Sequence, residues 1–126
     1  MKDEVRAGEN DLRDRTKHFA LQIIRLSVDL PKTPEARVIG KQVLRSGTSI
    51  GANYREAYRS RSKAEFAAKT GDSLKELEET AYWLELLGDG GIFPSEKLQL
   101  LMKECDELTA IFVAIIKKVK TKNDIP

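Results

Sequence analysis

Apolar and small residues recur along this chain at alternating steps of four and three, in four runs separated by prolines, glycines or capping residues. In the first run Leu12, Thr16, Phe19, Ile23, Leu26 and Leu30 follow at 4, 3, 4, 3 and 4. These positions share one stripe of an α-helix, because a turn takes about 3.6 residues. Asn10 or Asp11 can cap the start and Pro31 stops the helix. The second run opens on Thr33-Pro34-Glu35, a cap, a proline at the first helical position and an acid at the positive end of the helix dipole. Its seam passes through Ala36, Ile39, Val43, Ser46, Ile50, Asn53 and Ala57.

The third run starts with Ser62-Lys63-Ala64-Glu65, a capping box. Phe66, Thr70, Ser73, Leu77, Thr80, Leu84 and Leu87 form its seam, and Gly88 is expected to supply a left-handed stop. The fourth starts at Ser95 and carries Leu98, Leu101, Cys105, Leu108, Phe112, Ile115 and Val119, with Lys117, Lys118 and Lys120 in its last turns, where the dipole favours cations. No stretch alternates apolar and polar residues for long enough to make a strand. The pattern therefore predicts an all-α protein with helices at about 11–30, 34–59, 62–88 and 95–121. Short connections favour antiparallel neighbours, hence an up-down-up-down four-helix bundle with left-handed packing. The first ten residues and the tail from Thr121 are expected to fray.

A length of 126 residues suits one domain spanning 1–126. The apolar stretches fall far short of the roughly 20 residues that span a bilayer, and the start M-K-D-E-V-R lacks a secretory apolar region. A cytoplasmic protein with no membrane partner is expected. Its one cysteine, Cys105, cannot form an internal disulfide and reads as a small core hydrophobe. The one histidine, His18, reads as a helix-surface residue without a second metal ligand at useful spacing. Glu76 and Glu79 lack the E-x-x-H pair of di-iron bundles. No metal and no cofactor are expected.

Gly47-Thr48-Ser49-Ile50-Gly51 spells G-x-S-x-G, the pattern of a hydrolase nucleophile elbow. That elbow needs a strand before the serine and a histidine after it. Here the serine lies in mid-helix and His18 lies upstream, so no enzyme is expected. Gly40, Gly47 and Gly51 instead leave one side of the second helix without bulk, so that a neighbouring backbone can approach closely. Each glycine costs about 0.5–1 kcal/mol against alanine in a helix interior, which calls for compensation by packing.

Net charge is only +2, but its distribution is uneven. Arg37 to Lys69 holds eight bases against two acids, and Thr70 to Glu96 holds one base against seven acids. Blocks of opposite sign suit head-to-tail contacts between copies, and the basic block suits a polyanion. Arg55, Arg59, Arg61 and Lys63, interleaved with Tyr54 and Tyr58, can grip phosphates and stack on bases, as single-stranded RNA is usually held. The alternative is a solvated helix-loop-helix corner with unrelated tyrosines. Arg37, Lys41 and Arg45 make a stripe that either faces a channel or bridges acids such as Glu76, Glu78 and Glu79. With Arg45 and Lys69 added, the candidate nucleic-acid set is Arg45, Arg55, Arg59, Arg61, Lys63 and Lys69. Tyr54, Tyr58, Tyr82, Trp83 and Phe93 are candidate subunit contacts, the alternative for Trp83 being a core wide enough to absorb it.

The stretches R-S-G-T-S-I-G-A-N-Y-R-E-A (45–57), S-K-A-E-F-A-A-K (62–69) and L-K-E-L-E-E-T-A-Y-W-L-E-L-L (74–87) resemble a bacterial four-helix bundle family. That family includes proteins encoded in intervening sequences of 23S ribosomal RNA genes; accessory proteins of diversity-generating retroelements are similar at a distance. The similarity covers helices two to four, with helix one matching in character alone. It implies a homopentamer shaped like a short barrel and a nucleic-acid-associated role, and it carries no catalytic residue over. Where relatives often read N-I-A-E, this chain reads Asn53-Tyr54-Arg55-Glu56, adding an aromatic and a charge. The expected function is a non-enzymatic ring, pentameric by resemblance, that binds RNA or DNA. The alternative is a scaffold or accessory subunit for a nucleic-acid enzyme, with no nucleic-acid affinity of its own.

Overall fold

In a computed structural model, the backbone of residues 2–124 and the side chains of residues 12–120 are described. Four helices follow one another: α1 (Lys2–Asp29), α2 (Pro34–Tyr58), α3 (Lys63–Asp89) and α4 (Ser95–Asp124). The described residues contain no strand, and the protein is all-α. Three ends differ from expectation, α4 running on through Thr121 to Asp124 where fraying was expected. α1 runs through Asn10 and Asp11, so neither caps it. α3 continues past Gly88, and among the described residues the one with positive φ is Gly91, at 68°. Gly88 stays helical because it serves packing: a Cβ there would lie 3.1 Å from Ser95 Oγ.

Capping follows the sequence at the starts of α2 and α3. Thr33 Oγ1 accepts the Ala36 N–H at 3.2 Å, and Ser62 Oγ accepts the Glu65 N–H at 3.0 Å. Each satisfies a donor that the first helical turn leaves without a partner.

The four seams meet in one core. Phe19, Ile23, Val43, Ile50, Leu77, Leu84, Leu108 and Phe112 are fully buried. At about 1.5–3 kcal/mol for each large side chain withdrawn from water, this burial is the main force holding the helices together. Consecutive helices are the close neighbours, whereas α1 and α4 approach closely over only a short stretch.

The glycines of α2 set its distance from α1. A Cβ on Gly47 would lie 2.9 Å from both γ-carbons of Ile23, one on Gly51 2.9 Å from Thr16 Oγ1, and one on Gly40 3.0 Å from Leu30 Cδ1. Partner numbers fall along α1 as they rise along α2, the register of antiparallel neighbours. On the other side of α2, hydroxyls do the joining. Ser73 Oγ donates to the Ile50 carbonyl at 2.9 Å, and Thr80 Oγ1 lies 2.8 Å from Ser46 Oγ. Both pairs are buried, where an unmade hydrogen bond would be costly.

Candidate nucleic-acid interface

The corner between α2 and α3 is built from the last turn of one helix and the cap of the next. The Arg59 N–H donates to the Glu56 carbonyl at 3.1 Å and the Ser60 N–H to the Ala57 carbonyl at 2.9 Å, closing α2. Ser62 then opens α3. Arg55, Arg59, Arg61 and Lys63 are exposed around this turn, and none of them has an ion-pair partner among the described residues. Two acids share the corner: Glu56, which pairs with Lys69 at 3.5 Å, and the exposed Glu65.

Arg45 and Lys69 do not join this group. The Arg45 guanidinium bonds Glu79 and reaches Glu76 at 3.2 Å, so α3 takes up its charge. The Glu79 hydrogen bond is the main cause of the raised Arg45 pKa. Arg45 thus bridges acids within its own chain, and Lys69 is engaged by Glu56. Arg37 and Lys41, on the same stripe, remain exposed and without ion pairs among the described residues.

Tyr54 is a correction. It is 1% exposed and meets Phe112 edge-on, with centroids 5.6 Å apart and planes at 63°, so it neither stacks on a base nor contacts a partner. The seam of α2 passes through Val43, Gly47, Ile50, Tyr54 and Ala57, whose steps of 4, 3, 4 and 3 are as regular as those of the line through Asn53. Tyr58 stays accessible, with the Arg13 guanidinium 4.2 Å above its ring. Tyr82 is 53% exposed and lies 5.3 Å from the Trp83 ring. Trp83 and Phe93 pack partly buried against the core, and the Trp83 Nε1–H is buried without a hydrogen-bond acceptor among the described residues.

Sequence reading missed the contribution of α4. Lys120 lines a shallow recess with Ala64, Ala67 and Ala68 of α3, which places the end of α4 beside the start of α3. The exposed Lys118 and Lys120 therefore share an end of the bundle with the basic corner. The signal was the topology itself: helices that alternate in direction gather the end of α2, the start of α3 and the end of α4.

Ser49 sits in the middle of α2 and not on a strand-turn-helix elbow. Ser49 Oγ donates to the Arg45 carbonyl at 2.7 Å within α2, while His18 lines a groove between α1 and α4. Burial, with Asp106 and Glu104 adding to it, pushes the Cys105 thiol up to about 12, far from thiolate chemistry at neutral pH. Among the described residues no cluster of His, Cys, Asp and Glu is placed to hold a metal ion. Among them, too, no helix is long and apolar enough to cross a membrane.

A crystal structure of a protein of unknown function from the S23 ribosomal protein family of Bacteroides thetaiotaomicron is similar, with a TM-score of 0.79 and 40% identity over 84% of this chain and 98% of that one. No curated protein matches the sequence. A model of the 23S rRNA-intervening sequence protein family matches residues 9–114, and the chain belongs to that family.

Proposed function

We propose that this protein is a non-catalytic bundle whose copies associate and whose basic end holds nucleic acid, RNA in the first instance, by its phosphates. One observation carries the reading: Arg55, Arg59, Arg61 and Lys63 stand exposed at one corner without carboxylate partners among the described residues, on the end that Lys118 and Lys120 share. Cations already bound to acids would have to break those pairs before meeting a phosphate; these do not. The choice of RNA is supported by the family description, which links its members to intervening sequences of 23S rRNA. Association of copies multiplies the effect, since each phosphate neutralised releases a counterion and the terms add.

The mechanism is electrostatic attachment. With about four phosphate contacts per chain on a single strand, affinity should fall on the order of fifty-fold between 50 and 200 mM salt. A gel-shift titration with an unstructured RNA at increasing salt measures this. The triple variant Arg55→Glu, Arg59→Glu, Arg61→Glu should keep its thermal melt and its mass while losing the shift. Binding that ignores salt, or a triple variant that binds as well as the parent, would overturn the assignment. A protein partner recovered equally before and after nuclease, with no RNA shift at low salt, would install the scaffold reading instead.

A further inference from the structure

Besides its core seam, α1 carries a second line of apolar residues on its outer surface. Leu21, Ile24 and Val28 follow at steps of three and four, and they are 53%, 43% and 71% exposed. Three large aliphatic side chains in one register on a helix form a ridge that another helix can cover, and a contiguous exposed apolar strip of this kind marks an interaction surface. Charge frames the ridge on both sides. Val28 borders a groove lined by Lys32, Arg37 and Lys41. Leu21 borders the α1–α4 groove, lined by Arg25 and Lys97 together with the acid Asp29. None of these five cations forms an ion pair among the described residues.

The complementary surface lies on the same molecule. On the outside of α3, Glu78, Tyr82, Glu85 and Asp89 follow at 4, 3 and 4, all exposed. An aromatic ring among three carboxylates has the opposite charge to the α1 face and the same helical register. We infer that the α1 ridge is a docking face for a second copy of this chain, which seats the Tyr82 face of its α3 there. The inference rests on the self-association part of the proposed function and is independent of RNA binding. The occupant follows from charge: a ridge rimmed by cations on both flanks rejects another basic face, so two α1 ridges do not pair. The contact joins two different surfaces, so each chain keeps one face free to engage the next, and the assembly either closes into a ring or extends.

Such a head-to-tail contact has a signature that a contact between identical faces lacks. Two double variants break one face each: Leu21→Glu with Val28→Glu, and Tyr82→Ala with Glu85→Ala. All four positions are exposed, so both variants should keep the parental melt, read by circular dichroism. Light scattering on a sizing column gives the mass. The parent should run as several chains and each variant alone as one chain. An equimolar mixture should give a species of two chains and nothing larger, because one intact ridge then meets one intact α3 face and the other two faces are broken.

If the parent assembles and both variants do too, the faces are wrong while self-association stands. A parent of one chain at every concentration overturns both. Variants that disassemble alone and stay single when mixed would overturn the pairing of ridge with α3. Sedimentation of a single-chain parent with vesicles of anionic phospholipid would reassign the ridge to a lipid surface. Should a ridge variant lose its fold, the charge variants Arg37→Glu with Lys41→Glu and Glu78→Lys with Glu85→Lys repeat the test. Each should assemble less than the parent at low salt, and the mixture should recover the parental assembly, because every face then meets one of opposite charge.

Discussion

The two sides of α1 use opposite means of contact. Towards α2 it meets glycine: Ile23 sits where a Cβ on Gly47 would lie 2.9 Å away, and the α1 side chains pack directly onto the α2 backbone. Towards α4 it approaches closely over only a short stretch, and there Arg15 reaches across to Glu104 with Nε–Oε2 at 3.0 Å and Nη2–Oε1 at 2.5 Å. The first contact depends on shape, the second on long side chains. A close-packed seam tolerates almost no added volume, whereas a bridge of flexible arms can be lost at small cost.

The largest effect should come from filling the tight seam. Gly47→Leu forces a side chain into fully buried Ile23, and a loss of about 3 kcal/mol or more is expected, enough to unfold a marginal bundle; a urea melt measures it. An unchanged midpoint would show that α1 can move away freely. Alanine separates volume from propensity. Gly47→Ala should destabilise by roughly 1–3 kcal/mol, whereas Gly71→Ala, where a Cβ meets nothing within 4 Å, should stabilise by about 0.5–1 kcal/mol. Equal signs for the two would remove the steric account. Ser73→Ala, which deletes the bond to the Ile50 carbonyl, should cost about 1 kcal/mol in the same assay. The smallest change belongs to the open side: Glu104→Ala should lose about 0.2–1 kcal/mol, and less at high salt, because the pair is partly exposed.

Much of this contrast was readable in the chain. The alternating steps of four and three placed the cores of α1, α3 and α4, since helical period and burial leave little freedom. Gly40, Gly47 and Gly51 announced a shortage of bulk in α2. What they could not announce was the partner, because Ile23 and Thr16 become their neighbours only through the register of two helices. Tyr54 was misplaced for a related reason: Asn53 and Tyr54 both fit a regular seam, and only the packing of α2 and α4 across the core puts the ring on Phe112. The fate of Arg45 also hung on register, since Glu76 and Glu79 are distant in sequence. Gly88 was expected to supply the left-handed stop, whereas the helix runs on to Asp89 and the positive φ falls at Gly91. The cations of the α2–α3 corner were legible locally, but their companions on α4 were not, because shared position at one end of a bundle is a property of the whole chain path.

The Tyr82–Trp83 pair also gives the molecule a built-in optical gauge. Trp83 is the one tryptophan in the sequence, its indole is partly shielded, and its ring is tilted 58° against its neighbour's. Two chromophores fixed at that angle couple into a near-ultraviolet dichroic band that vanishes once the rings tumble, so loss of α3 packing can be followed without any label and apart from loss of helix. A copy docking over Tyr82 would shift the emission of the adjacent indole, so the same unmodified side chain reports folding and association.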